Sequence, residues 1–290
     1  MDKLVKSQAG RVAPTLVRPP VFEADTIYGD RPQPLQTTVL DHMVTRMQRT
    51  HERRRAAMFV GPAGIGKTTA VEAFRCANAD HVIVINVLKR GVTGTQILQQ
   101  VLRALRLHNG RPIKYITNAT EQIWQQLAVE IEHYGQGLPR DARPDLFPLL
   151  TIVFDEAQRL TNAALDALRG YNEPHYLCTG TFPLGLIFVG NNELSLEDRG
   201  GGSILDEGMR DRLLYADRLN YKFITPEDIA SFSQARGITD KSAQKAIAQR
   251  FSGERIVRSY RQIERFIDDC NDEAGGGPVT AAIVLSIATL

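Results

Sequence analysis

Apolar positions along the chain follow two alternating rhythms. Leu40, Met43, Val44 and Met47 recur at the three-and-four spacing of one helix face, which predicts a helix over about 35–55. Unbroken apolar runs follow at AAMFV (56–60), HVIVINV (81–87), LLTIVFDE (149–156) and GLIFVG (185–190). A strand covered on both faces reads as such a run, because none of its side chains has to meet water. Helical patterns separate these runs: from about Lys67, over TGTQILQQVLRALRL (93–107), from about Ala119 to His133, and from Asn162 to Arg169. Strands alternating with helices predict an α/β fold, a parallel sheet between helical layers.

After about Tyr221 the strand pattern ends. TPEDIASFSQARG (225–237) places Asp228 three residues beyond Thr225, a capping-box spacing, and Gly237 suits the end of that helix. Further helices are expected over about 239–251 and 257–270, and GGGP (275–278) precedes a last short one. Residues 1 to about 34 hold five of the fourteen prolines and no sustained period, which predicts an extended arm. The expected organisation is an arm over 1–34, an α/β body over 35–220, and a small all-helical domain with a tail over 221–290.

Composition narrows the partners. Lys plus Arg number 35 against 33 acidic residues, a net charge of +2, so a uniformly basic coat is excluded. Any polyanion must be held by a local patch. Cys76, Cys178 and Cys270 show no paired spacing, which argues against a disulfide framework or a zinc site and suits a reducing compartment. The first 20 residues carry charge and proline where an export signal needs an apolar stretch. The C-terminal VTAAIVLSIATL, at 12 residues, is too short to cross a bilayer. No membrane contact and a cytoplasmic location are expected.

The chemistry concentrates at strand ends. Gly61-Pro62-Ala63-Gly64-Ile65-Gly66-Lys67-Thr68 fits G-x-x-x-x-G-K-[ST] between a predicted strand and a predicted helix, with Thr69 following. Glycines let successive N–H groups turn toward a phosphate, the helix N-terminus adds positive charge, the lysine reaches the outer phosphates, and Thr68 offers a hydroxyl to Mg²⁺. The strand 149–154 ends in Asp155-Glu156, a pairing in which Asp155 serves Mg²⁺ and Glu156 serves the attacking water. The strand 185–190 ends beside Asn191, where a ligand crevice is expected in a doubly wound sheet.

These motifs, with TIVFDEAQ, FVGNNEL and a helical C-terminal part, resemble the AAA+ ATPases over about Leu35 to Cys270. Within them, VFDEAQRLTNAALDALR, GLIFVGNNEL and RGGGSILDEGMRDRL are most similar to transposition regulators, the B protein of phage Mu and TnsC-type proteins. The resemblance implies ATP and Mg²⁺ as cofactors, with Lys67 and Thr68 on the phosphates and metal, Asp155 and Glu156 as the metal and water pair, and Asn191 as a sensor. It implies Arg212 as an arginine reaching into the neighbouring subunit, with Arg210 as its rival; the plain alternative for both is a solvated helix face. Arg261 matches a second sensor in the lid. Such relatives form helical filaments or rings on duplex DNA without reading its sequence, select target sites, and recruit a transposase. Lys89 and Arg90 with Thr93, and Arg111 with Lys114, are the basic stretches expected to meet DNA phosphates. Arg53, Arg54 and Arg55 lie either near the adenine or at a subunit boundary. The resemblance departs at two points: a short Pro-rich arm is expected over 1–34 where the phage protein has a helical DNA-binding region before the body, and 170–185 is longer than the pattern. The alternative reading is an AAA+ switch of a secretion or signalling system acting on proteins without DNA, or a helicase-loader-like protein.

Overall fold

The unbroken apolar runs become neighbours in one parallel sheet. The computed structural model describes residues 34–112, 116, 120–134, 149–172, 184–195, 211–252 and 259–287. In chain order the elements are α1 (Thr38–Glu52), β1 (Ala56–Val60), α2 (Lys67–Ala77), β2 (Val82–Asn86), α3 (Gly94–His108), α4 (Thr120–Tyr134), β3 (Thr151–Asp155), α5 (Asn162–Arg169), β4 (Gly185–Gly190) and β5 (Leu213–Arg218). Four helices complete them: α6 (Pro226–Ala235), α7 (Lys241–Arg250), α8 (Tyr260–Glu273) and α9 (Ala281–Ser286).

The strand order is β2-β3-β4-β1-β5, every pairing parallel. The period of two sorts the strand side chains between two cores. Ala56, Met58, Val60, Phe154 and Phe188 point to the face covered by α3, α4 and α5. Ala57, Phe59, Val153, Ile187 and Val189 point to the face covered by α1, α2 and the C-terminal helices. The sheet is thus sandwiched, as the apolar runs require. Trp124 on α4 is half-buried at the first core and stacks on Tyr171 with centroids 4.4 Å apart.

β5 is the element that hydrophobic patterning does not predict. No residue of LLYADR at the sheet edge is fully buried, and Ala216 and Arg218 are exposed, whereas β1, β3 and β4 are buried throughout and carry one charge, Asp155 at the end of β3. Asp217 on it is held by Arg46 and, at 2.9 Å, by His42, both from α1. Arg212 accordingly stands in the turn before a strand, not on a helix face. Arg210 and the glycine-rich stretch before it lie outside the described residues, as does most of 170–185.

From Pro226 onward every described element is helical. Thr225 and Asp228 form a reciprocal capping box at the start of α6, and Gly237 takes φ +92° just past its end. Asp228 is buried and also accepts the N–H of Thr38 at 2.9 Å, which joins this helix to the start of α1.

Candidate nucleotide-binding site

Strand order decides what meets at the C-terminal edge of the sheet. β4 lies between β1 and β3, so the residue after β4 falls between the loop after β1 and the acidic pair ending β3. The loop after β1 carries the glycine motif. Gly61 N–H donates to Gly190 C=O at 3.2 Å, and Ile65 anchors the loop in the core. Gly64 and Gly66 take φ +74° and +101°, a left-handed backbone that L side chains rarely adopt. Lys67 Nζ donates to the carbonyls of Gly61 and Pro62, each at 2.8 Å, which holds its charge inside the curl of the loop. Burial pushes that ammonium below the usual lysine range, while Asp155 and Glu156 act in the opposite sense.

The acidic pair is fastened to the loop. Thr68 Oγ1 donates to Asp155 Oδ2 at 3.0 Å, and Asp155 Oδ1 accepts the N–H of Glu156 at 2.9 Å. Glu156 itself sits at φ +59°, strained for a non-glycine residue and characteristic of positions whose side chain must be aimed. Gln158 bridges two of the expected groups: its Nε2 donates to Glu156 Oε2 at 2.7 Å, and its Oε1 accepts the Asn191 N–H at 3.1 Å. The sequence reading passed over Gln158. Its position two residues after the glutamate was the available signal.

A pocket of about 360 Å³ opens over these groups. Ala63, Gly64, Gly66, Lys67, Thr68, Thr69 and Glu156 form its polar floor, and Leu35, Thr37 and Leu40 reach it from the start of α1. Phe232 on α6 and Tyr260, Arg261 and Glu264 on α8 complete the wall. Tyr260 N–H donates to Gly64 C=O at 2.9 Å, so the C-terminal helices are pinned to the loop itself. Apolar and aromatic walls beside a ring of N–H donors and a lysine fit a flat heterocycle linked to a polyphosphate. Of the wall residues, sequence reasoning had found only Arg261. The hydroxyl of Thr68 and the carboxylate of Asp155 are hard oxygen donors, the type Mg²⁺ prefers.

The remaining expected residues lie elsewhere. Leu213 pairs in register with Ala56, so Arg212 and Arg53, Arg54 and Arg55 share the N-terminal edge of the sheet. That edge is one strand length, about 17 Å, from the phosphate loop of the same chain. The three arginines are therefore away from the nucleotide pocket. Lys89 and Arg90 are exposed on the loop between β2 and α3, next to Leu88, which is 76% exposed. Thr93 caps α3 through its hydroxyl, paired reciprocally with Gln96. Arg111 lies beyond the opposite end of that helix, about 20 Å away by helical rise, and pairs at 3.5 Å with the buried carboxylate of Glu130. Lys114 lies outside the described residues. No helix among the described residues is long and apolar enough to cross a membrane.

Comparisons with known proteins agree with this geometry. Residues 48–196, half of the chain, match the family described as AAA domain. Among solved structures, Cdc6p from Pyrobaculum aerophilum superposes with a TM-score of 0.57 at 17% identity, over 86% of this chain and 64% of that one. The Aeropyrum pernix ORC2 protein in its ADP form gives 0.54 at 16% identity, over 91% and 71%. The Thermotoga maritima RuvB Holliday junction branch migration motor gives 0.51 at 15%, over 88% and 70%. At such identities the likeness establishes the fold, that of an AAA+ P-loop NTPase. The chain spans just under two thirds of the length of the Cdc6p structure. No curated protein sequence matches it.

Proposed function

This chain belongs to the AAA domain family, and from that premise we propose that it is an ATP-dependent, DNA-binding regulator of transposition. It oligomerises on duplex DNA without reading sequence, marks target sites, and recruits and activates a transposase. The three motif stretches that resemble transposition regulators support this reading, and so does a fold shared with a branch migration motor.

The body (35–220) and the helical lid (221–290) act together on ATP. Lys67 neutralises the outer phosphates, and Thr68 with Asp155 would hold Mg²⁺, which would supply further neutralisation of phosphate charge. Glu156 orients and deprotonates the attacking water, with Asn191 beside it. Arg261 follows the phosphates from the lid. Arg212 completes the neighbour's site, where a guanidinium stabilises charge on the transferring phosphoryl group. Lys89 and Arg90 meet the DNA backbone, and repetition along an oligomer multiplies so small a patch.

One observation carries the oligomeric part: Arg212 lies at the sheet edge away from its own pocket. It can serve a nucleotide only in another copy. The test uses Glu156→Gln, saturated with ATP and mixed with random duplex at low salt, followed by sedimentation and electron microscopy. Lasting protein–DNA assemblies are expected, while wild-type assemblies dissolve as ATP is consumed. Absence of DNA binding by the variant overturns the proposal. Assembly that ignores DNA favours the switch acting on proteins.

A further inference from the structure

The nucleotide pocket contains a carboxylate that phosphate binding does not explain. Glu264 on α8 lines it together with Tyr260 and Arg261. A negative group beside a polyphosphate is repelled unless its charge is compensated. Compensation is built in: Arg236, the residue that ends α6, pairs through Nη2 with Glu264 Oε1. The same guanidinium lies over the ring of Phe232, 5.2 Å from its centroid, and Phe232 is itself a wall of the pocket. The aromatic wall thus braces the arginine, and the arginine orients one oxygen of Glu264. The second oxygen remains as an acceptor at the pocket.

Position along α8 says which part of a nucleotide meets this acceptor. Tyr260 N–H donates to Gly64 C=O at 2.9 Å, and a Cβ on Gly64 would stand 3.5 Å from that of Arg261. The helix therefore starts at the phosphate loop. Glu264 lies one turn further on, about 4.5 Å by rise, on the face it shares with Tyr260 and Arg261. In a nucleoside triphosphate the ribose is the next unit after the phosphates, and its adjacent hydroxyls are donors. A carboxylate is acceptor only, and an acidic side chain on ribose hydroxyls is how doubly wound folds read the sugar of a dinucleotide. The base is left to the apolar and aromatic walls of Leu35, Leu40 and Phe232. We propose that Glu264, oriented by Arg236, is a specificity-determining residue that accepts the ribose hydroxyls and selects ribonucleoside over deoxyribonucleoside triphosphates. The inference rests on the reading of the pocket as an ATP site and adds to it a preference for the sugar.

The experiment measures equilibrium binding of ATP, 2′-deoxy-ATP, 3′-deoxy-ATP and inosine triphosphate, each with Mg²⁺, by calorimetry. It uses the full chain in a Glu156→Gln background, which holds the nucleotide unhydrolysed. With Glu264 in place, ATP is expected to bind about tenfold more tightly than either deoxy analogue, the effect of one charge-assisted hydrogen bond at a half-exposed side chain. Glu264→Ala should bring that ratio close to one, chiefly by weakening ATP. Arg236→Ala should shrink it partway, because the carboxylate stays but loses its brace. A ratio that survives Glu264→Ala, or an equal loss for ATP and its deoxy analogues, overturns the inference. So does a chain with Glu264 intact that binds all three alike. If Glu264→Ala alters instead the preference for ATP over inosine triphosphate, which lacks the base amino group, the assignment to the ribose is wrong. Should the alanine variant not fold, Glu264→Gln, which keeps the shape without the charge, decides by the same ratio. Failure of the chain with Glu264 intact to bind any triphosphate overturns the reading of the pocket as an ATP site.

Discussion

His51 shows how one buried ring sets the pH behaviour of the fold. It is 2% exposed, and its Nδ1 lies 2.8 Å from Thr151 Oγ1, under the first residue of β3. Burial, then His81 and Arg54, lower its pKa to about 4 from 6.5. As pH falls through the window from 6.5 to 4, the unfolded chain takes a proton that the folded chain refuses, so this group removes stability across that window and none above it. Thermal unfolding from pH 7.5 to 4.5 should show a steeper fall for wild type than for His51→Asn, which keeps a donor toward Thr151 without a titrating ring. Equal slopes would remove His51 from the account. At this scale the sequence was informative where chemistry is contiguous: the eight residues of the phosphate loop and the pair Asp155-Glu156 were readable as such. Gln158 was not, because a glutamine on a surface turn acquires meaning only from a partner 33 residues away.

Among elements, those that bury one continuous face were legible, and β5 was not. The bounds of α5 and β4 coincide with their apolar patterns, since every strand residue of β4 is buried. β5 sits at the edge with two charged residues, of which Asp217 is paired with α1, so its signal is divided between LLYADR and the basic pair His42 and Arg46. The capping box of α6 offers a quantitative check. Thr225→Ala removes one cap bond and should cost about 1 kcal/mol in denaturant unfolding. Asp228→Ala leaves two backbone N–H groups, those of Thr225 and Thr38, without their acceptor and should cost more, roughly 2–3 kcal/mol. The reverse order would mean that this carboxylate does not fasten the lid helix to α1.

For the molecule as a whole, the pocket illustrates what patterning cannot supply. Its aromatic and aliphatic walls come from Leu35, Leu40, Phe232 and Tyr260, which nearly span the chain and share no motif. The folded sheet, the hydrogen bond from Tyr260 to Gly64 and that from Thr38 to Asp228 bring them to the phosphate loop. The separation of pocket and Arg212 gives the test at this scale. Lys67→Ala supplies an arginine but no nucleotide, and Arg212→Ala supplies the converse. Each alone should fall at least about 10³-fold in hydrolysis. A one-to-one mixture should recover about a quarter of wild-type turnover if copies meet head to tail. A mixture no faster than its parts would place the arginine's action elsewhere.

Pocket on one rim and guanidinium on the other also make any stack of copies directional. If Arg212 acts across copies as proposed, one terminus of such a stack holds a pocket that no neighbour completes, and the opposite terminus holds an Arg212 that reaches no neighbour's pocket. Turnover per copy would then climb with stack length, and the two tips would grow and erode at unlike rates.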